Sequence, residues 1–146
     1  KERRDFSCAV FDPKGNMVAQ AADIPVHLGA MPASVQAALE VFPDSLNPGD
    51  IVMLNDPYMG GSHLPDIFLF KPIFVNDALF GWTCCIGHQT DIGGRVAGGN
   101  ACDNTEIYQE GLQIPPTPII RDGEIDEVIL KLINQNVRVL MASCQE

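Results

Sequence analysis

Ile67-Phe68-Leu69-Phe70-Lys71-Pro72-Ile73-Phe74-Val75-Asn76-Asp77-Ala78-Leu79-Phe80-Gly81-Trp82-Thr83-Cys84-Cys85-Ile86 is the stretch on which the fold turns. Its two strand-length runs, 67–75 and 78–86, are apolar at nearly every position, the pattern of strands that are largely buried. Between them Asn76-Asp77 tolerates the left-handed backbone that a two-residue hairpin turn requires. The reading is therefore a hairpin, and both of its open ends run into polar, glycine-rich sequence. On one side stands Asn55-Asp56-Pro57-Tyr58-Met59-Gly60-Gly61-Ser62-His63-Leu64-Pro65-Asp66, and on the other Gly87-His88-Gln89-Thr90-Asp91-Ile92-Gly93-Gly94.

Counting back from the turn relates these two segments. If Val75 pairs with Ala78, an unbroken ladder puts Asp66 opposite Gly87 and Pro65 opposite His88. His63, Asp66 and His88 then meet at the open end of the hairpin, but Asp66 and His88 point to opposite faces. One bulge corrects this. Pro72 has no N–H to give a ladder, so the neighbourhood of Lys71-Pro72 is where the bulge is expected.

Two histidines and a carboxylate suit a divalent ion of borderline hardness, and a three-ligand set leaves open positions for water or substrate. The same residue types also occur as ordinary hydrogen-bonded loop residues. Asp56 and Asp91 lie beside turn residues, where a carboxylate either orients ligands and moves protons or caps backbone amides. His27, between Val26 and Leu28, reads as a buried hydrogen-bonded histidine.

Around the hairpin, 6–11 and 17–21 are strand-like and separated by the turn-forming Asp12-Pro13-Lys14-Gly15-Asn16. Residues 25–32 read as a connector, followed by a helix over 33–42 with Pro32 at its start and Val35, Ala38, Leu39 and Phe42 on one stripe. Ile51-Val52-Met53-Leu54 is a further strand. Residues 89–106 form a long ordered loop, Pro115-Pro116-Thr117-Pro118 is extended, Arg121-Asp122-Gly123 is a turn, and 124–140 is a second amphipathic helix. The fold class is α+β: mixed, predominantly antiparallel β-hairpins with two amphipathic helices, part of a larger fold.

The 146-residue chain is 46% hydrophobic and carries a net charge of −10, which fits a globular unit and repels phosphate backbones and anionic lipid. Nucleic acid and membrane are not expected partners, and the expected location is cytoplasmic. Its five cysteines, an odd set without Cys-x-x-Cys spacing, do not form a disulfide framework; Cys84 and Cys85 read as small buried hydrophobes.

Five ordered motifs then become informative together: Lys1-Glu2-Arg3-Arg4-Asp5-Phe6-Ser7-Cys8-Ala9, Ile24-Pro25-Val26-His27-Leu28-Gly29-Ala30-Met31-Pro32, the 55–66 segment, Asp91-Ile92-Gly93-Gly94, and Glu106-Ile107-Tyr108-Gln109-Glu110-Gly111-Leu112. Across nearly the whole chain they resemble the hydantoinase B/oxoprolinase family. The resemblance implies that residues 1–146 are the N-terminal portion of a longer subunit. It also implies a hydantoinase A-type partner that consumes ATP to activate an amide or ketone oxygen, while the B-type subunit completes the chemistry at a zinc, manganese or iron ion. Under that resemblance His63, Asp66 and His88 are the metal ligands; Asp56 and Asp91 are this reading's own candidates to orient ligands or move the proton.

The implied function is an ATP-dependent hydrolase of a cyclic amide, a hydantoin or 5-oxoproline-like lactam. The alternatives are a subunit of an acetone/acetophenone-type carboxylase, or a non-catalytic assembly module for the A-type partner. ATP is expected on the partner, because no Gly-x-x-x-x-Gly-Lys-Ser/Thr loop occurs here. Two departures stand out. Many family members have His-His-Ala-Asp where this chain has His88-Gln89-Thr90-Asp91, and the family's acidic segment and Gly-Asp-Leu after Asn136-Val137-Arg138 are not matched by 139–146.

Overall fold

The computed structural model describes residues 5–43 and 45–139. Cys144 and the end of the expected second helix lie outside them. The strands are β1 (Phe6–Phe11), β2 (Met17–Gln20), β3 (Ile51–Leu54), β4 (Asp66–Val75), β5 (Ala78–His88), β6 (Thr117–Arg121) and β7 (Glu124–Ile125), and the helices are α1 (Pro25–Val41) and α2 (Glu127–Asn136). The strands form one sheet in the order β2-β1-β5-β4-β3-β6-β7, and each neighbouring pair is antiparallel. The α+β class stands, with a sheet that is antiparallel throughout the described residues.

The β4–β5 hairpin is the centre of the sheet, and its turn is the expected one. Asn76 and Asp77 both have positive φ, 50° and 62°, the left-handed pair that matches strand twist in a two-residue connection. The near-continuous apolar character of β4 has a direct cause: both its faces are covered. Phe68 and Phe70 pack with Val52, Leu54, Trp82, Ile86 and the α1 residues Met31, Val35 and Ala38. Ile67 points to the other side, into a second cluster with Met53, Leu64, Ile92, Ile114 and the α2 residue Ile133. The segment from 92 to 114 and α2 thus cover the face that α1 leaves open.

Helix α1 begins earlier than the sequence suggested. Pro25 occupies its first turn, where a missing N–H costs nothing, and the expected connector 25–32 is helical. Pro32 lies inside the helix, where it removes one backbone bond at a cost of about 3 kcal/mol. Burial explains why the helix continues through it. His27, Met31, Ser34, Val35 and Ala38 recur at helical spacing on both sides of Pro32, and all are buried against the sheet.

The C-terminal part also differs from expectation. Residues 117–121, read as extended coil and turn, form β6 beside β3, and Pro118 opposite Val52 is accommodated by a register shift between Ile51 and Val52. Glu124 and Ile125 belong to β7, paired with Arg121 and Ile120, rather than to the helix. Helix α2 starts at Glu127, where the Asp126 carboxylate accepts from Val128 N and Ile129 N at 3.0 and 3.1 Å.

Adjacent strand residues face opposite ways, which divides the Cys84-Cys85 pair. Cys84 is buried among the α1-side apolar residues, as expected, and burial pushes its thiol well above the ordinary range. Cys85 is exposed, with its Sγ 3.2 Å from that of Cys8 on β1, so the buried reading fails for it. Among the described residues no helix is long and apolar enough to cross a membrane.

Candidate metal centre

Asp66 begins β4 and His88 ends β5, and the ladder pairs them directly: Asp66 with His88, Ile67 with Gly87, and so on to Ile73 with Gly81. The register then shifts, and Phe74 pairs with Leu79. Phe80 is the extra residue. This is the required bulge, displaced from its expected position near Lys71-Pro72 to the opposite strand. It keeps Trp82, Cys84 and Ile86 on the α1 side with Phe68 and Phe70, and so turns His88 to the same face as Asp66.

His63 is placed by the loop that precedes β4. Asn55, fully buried, clamps that loop: its Nδ2 donates to the carbonyls of Leu64 at 2.7 Å and Leu112 at 2.8 Å, and its Oδ1 accepts from Ile114 N at 2.6 Å. A short 3-10 turn, Pro57–Met59, follows and is capped by the Asp56 carboxylate, which accepts from Tyr58 N at 2.9 Å. The turn stops at Gly60, whose φ of +92° suits glycine and where an added Cβ would lie 2.5 Å from Ser34 N. The loop is thereby seated against α1. Leu64 anchors it in the second apolar cluster, and Asp66 N donates to His63 O at 3.0 Å.

These elements bring the three expected ligands together. His63 Nδ1 is 2.8 Å from Asp66 Oδ2 and His88 Nδ1 is 3.0 Å from Asp66 Oδ1. The two rings stack with centroids 5.1 Å apart. One donor atom from each residue lies within 4.8 Å of the others, a spacing that a single ion can close. The chemistry of the donors, two imidazole nitrogens and a carboxylate, fits zinc, manganese or iron. Asp66 is 1% exposed, whereas the imidazoles reach a cleft of about 410 Å³ lined also by Asp5, His27, Ser62 and Asn100. A second cleft, about 440 Å³, shares Ser62 and His63 and continues past Tyr58, Glu106 and Glu110.

The electrostatics centre on Asp66. Burial alone would raise its carboxyl, but hydrogen bonds from His63, Ser62 and His88 outweigh it and hold the group well below the usual carboxylate range. The reciprocal effect raises His63, chiefly through its bond to Asp66 and against the opposing cost of burial.

Two participants, Ser62 and His27, were not assigned to the site from the sequence. Ser62 Oγ donates to Asp66 Oδ2, and His27 Nε2 lies 3.2 Å from the same oxygen. His27 is buried and hydrogen-bonded as expected, yet its partner is the central carboxylate, across 39 residues of chain that no local pattern links. Gln89 folds back to donate from Nε2 to Gly87 O.

Asp56 and Asp91 are placed otherwise. Neither lines the cleft around Asp66. Asp91 is 4% exposed and accepts from Gly93 N, Gly98 N, Arg138 N and Arg138 Nη1 at 2.9–3.1 Å. Burial pulls its carboxyl upward, but these donors prevail and bring it down to about 2. Its contacts tie the glycine-rich loop to the end of α2.

The chain belongs to the Hydantoinase B/oxoprolinase family, whose match extends over residues 1–145. It is 41% identical over 134 residues to the caprolactamase subunit beta of Pseudomonas jessenii, covering 92% of this chain and 23% of that protein. It is likewise 41% identical over 134 residues to the 5-oxoprolinase of Saccharomyces cerevisiae, covering 90% of this chain and 10% of the relative. Among solved structures, the ATP-dependent caprolactamase of Pseudomonas jessenii superposes with a TM-score of 0.88 at 40% identity, over 93% of this chain and 24% of that one. A nucleotide-free acetone carboxylase shares the fold, with a TM-score of 0.86 at 22% identity over 93% of this chain and 18% of its own. The chain spans a quarter or less of these curated relatives.

Proposed function

We propose that the chain is the N-terminal portion of the B-type subunit of an ATP-dependent cyclic amide hydrolase, with His63, Asp66 and His88 holding a divalent ion. The observation that carries this reading is the convergence of the three side chains at the open end of the β4–β5 hairpin, made possible by the single-residue bulge at Phe80. Similarity to a caprolactamase subunit and a 5-oxoprolinase supports a cyclic amide as the substrate class, and we take it to be a hydantoin or 5-oxoproline-like lactam. The acetone carboxylase similarity is one of fold, so ketone carboxylation ranks second.

His63, Asp66 and His88 would hold a divalent ion, which would supply a lowered pKa for bound water and polarisation of a carbonyl. The protein's own residues supply the rest. Asp66 is buried, ionised and held by Ser62, so it presents a fixed negative oxygen, and the more exposed imidazoles of His63 and His88 line the cleft beside it. Asp56 and Asp91 act through the backbone, by setting the loops from which His63 and the 92–114 segment are hung. ATP would be consumed on a hydantoinase A-type partner. The deciding experiment is ATP-dependent turnover by the full-length subunit with that partner, assayed on hydantoins, 5-oxoproline, caprolactam, and ketones with bicarbonate. Turnover of ketones alone would replace the lactam reading.

A further inference from the structure

The carboxylate of Asp66 has a neighbour that no ligand role requires. His27, from the first turns of α1, is 3% exposed, and its Nε2 lies 3.2 Å from Asp66 Oδ2, with Asp5 Oδ1 next at 4.0 Å. Its other nitrogen, Nδ1, is 2.9 Å from Ser7 Oγ on β1. Ser7 is itself fully buried, and its oxygen accepts from Ile24 N at 3.3 Å. The hydrogen-bond roles in this chain are constrained. An ionised carboxylate only accepts, so His27 Nε2 must carry a proton, and in the neutral imidazole Nδ1 is then an acceptor. With the imidazole neutral, Ser7 donates its hydroxyl proton to Nδ1, while Ile24 N–H donates to the hydroxyl oxygen.

The result is a directed run, Ile24 N–H to Ser7 to His27 to Asp66, that joins the start of α1 to β1 and β4. It explains why α1 extends through Pro32 instead of beginning there: the turns ahead of Pro32 bring His27 to the sheet. It also acts on one specific atom. Asp66 Oδ2 receives His27 and Ser62 in addition to His63, whereas Oδ1 faces His88 alone of these four. A carboxylate pinned through one oxygen cannot rotate freely, and its position relative to the two imidazoles is set before anything binds.

We infer that His27 is a positioning residue for the metal centre, fixing the orientation of Asp66 through an Nε2–H donor whose tautomer is set by Ser7. This rests on the metal reading of His63, Asp66 and His88. The test uses the full-length subunit purified with its partner, stripped with a chelator and titrated with Zn²⁺ in competition with a chromophoric chelator, and separately loaded with Co²⁺ for its visible absorption spectrum. His27→Leu removes the donor while keeping bulk; His27→Gln keeps an amide N–H close to the position of Nε2.

The expected result is an affinity loss of about 10–100-fold and an altered Co²⁺ spectrum for His27→Leu, with His27→Gln restoring most of both. Ser7→Ala should shift both in the same direction but less. Wild-type affinity and spectrum in a folded His27→Leu protein would overturn the proposal and leave the metal reading intact. Equal loss in the Leu and Gln variants would overturn it also, by making His27 a ligand or a packing residue. Failure of the wild-type protein to bind either ion would overturn the metal reading, and this proposal with it.

Discussion

Asp66 and His88 are direct partners across the β4–β5 ladder although counting from the Asn76-Asp77 turn sets them one residue out of step, and Phe80 is the residue that reconciles the two. The consequence is that the relative placement of Asp66 and His88 is built into the sheet, while His63 comes from the loop ahead of β4. His63→Ala, Asp66→Asn and His88→Ala in the full-length complex should each abolish stoichiometric metal by elemental analysis and lower ATP-dependent turnover by at least about 100-fold. Chelator treatment of the unaltered complex should do the same, with recovery on re-addition of the ion. Full activity in both histidine variants would sink the catalytic reading.

Asn55 is the residue on which the site's stability depends most visibly. Its side chain satisfies two carbonyls and one N–H in a place without solvent access. Asn55→Ala leaves those backbone groups unpaired and should cost about 2–4 kcal/mol, seen as a lower midpoint in chemical denaturation of the subunit. Asn55→Asp should not rescue it, since a carboxylate keeps the acceptor for Ile114 but loses both donated bonds.

Acid should act on the domain through Asp91. Its folded carboxyl lies at about 2, below the ordinary 3.8, so the proton binds more tightly to the unfolded chain. The stabilisation is therefore present in full above the ordinary value and is lost as pH falls through that range toward 2. Asp91→Asn should lower the thermal midpoint at pH 7, and the gap from the unaltered protein should narrow between pH 4 and pH 2. A gap that stays constant over that interval would assign the Asn effect to packing and not to charge.

What the sequence disclosed, and what it hid, follows from the range of each interaction. The β4–β5 hairpin was legible because its turn pair and apolar runs are local, and the parity of Asp66 and His88 was enough to demand a bulge. Its position was not legible, because Phe80 sits among Leu79, Trp82 and other apolar residues that satisfy strand preferences equally well. Pro32 misled for the opposite reason: a proline marks a helix start locally, and only the burial of His27 and Met31 on the sheet overrides it. The same distance problem hid β6, which exists through β3, and the Asp91 to Arg138 pair, 47 residues apart.

Two glycines give a paired test of how the 55–66 loop is seated. At Gly60 the backbone has φ of +92°, and an added Cβ would meet Ser34 N at 2.5 Å and Ala33 C at 2.6 Å, both backbone atoms of α1 that cannot swing aside. Gly60→Ala must therefore push the loop off the helix, with left-handed strain of about 1–2 kcal/mol added to the displacement. Because Gly60 is three residues from His63, the same shift moves His63. Gly29 is the contrast: it lies within α1, is exposed, and an added Cβ there would meet nothing within 4 Å. Gly29→Ala should stabilise the subunit by about 0.5–1 kcal/mol through a less flexible unfolded chain and leave Zn²⁺ affinity unchanged. Gly60→Ala should lower both the denaturation midpoint and the affinity. If Gly60→Ala reduced stability alone, the seat on α1 would be a matter of folding, and the position of His63 would have to be set by Asn55 and Leu64 without it.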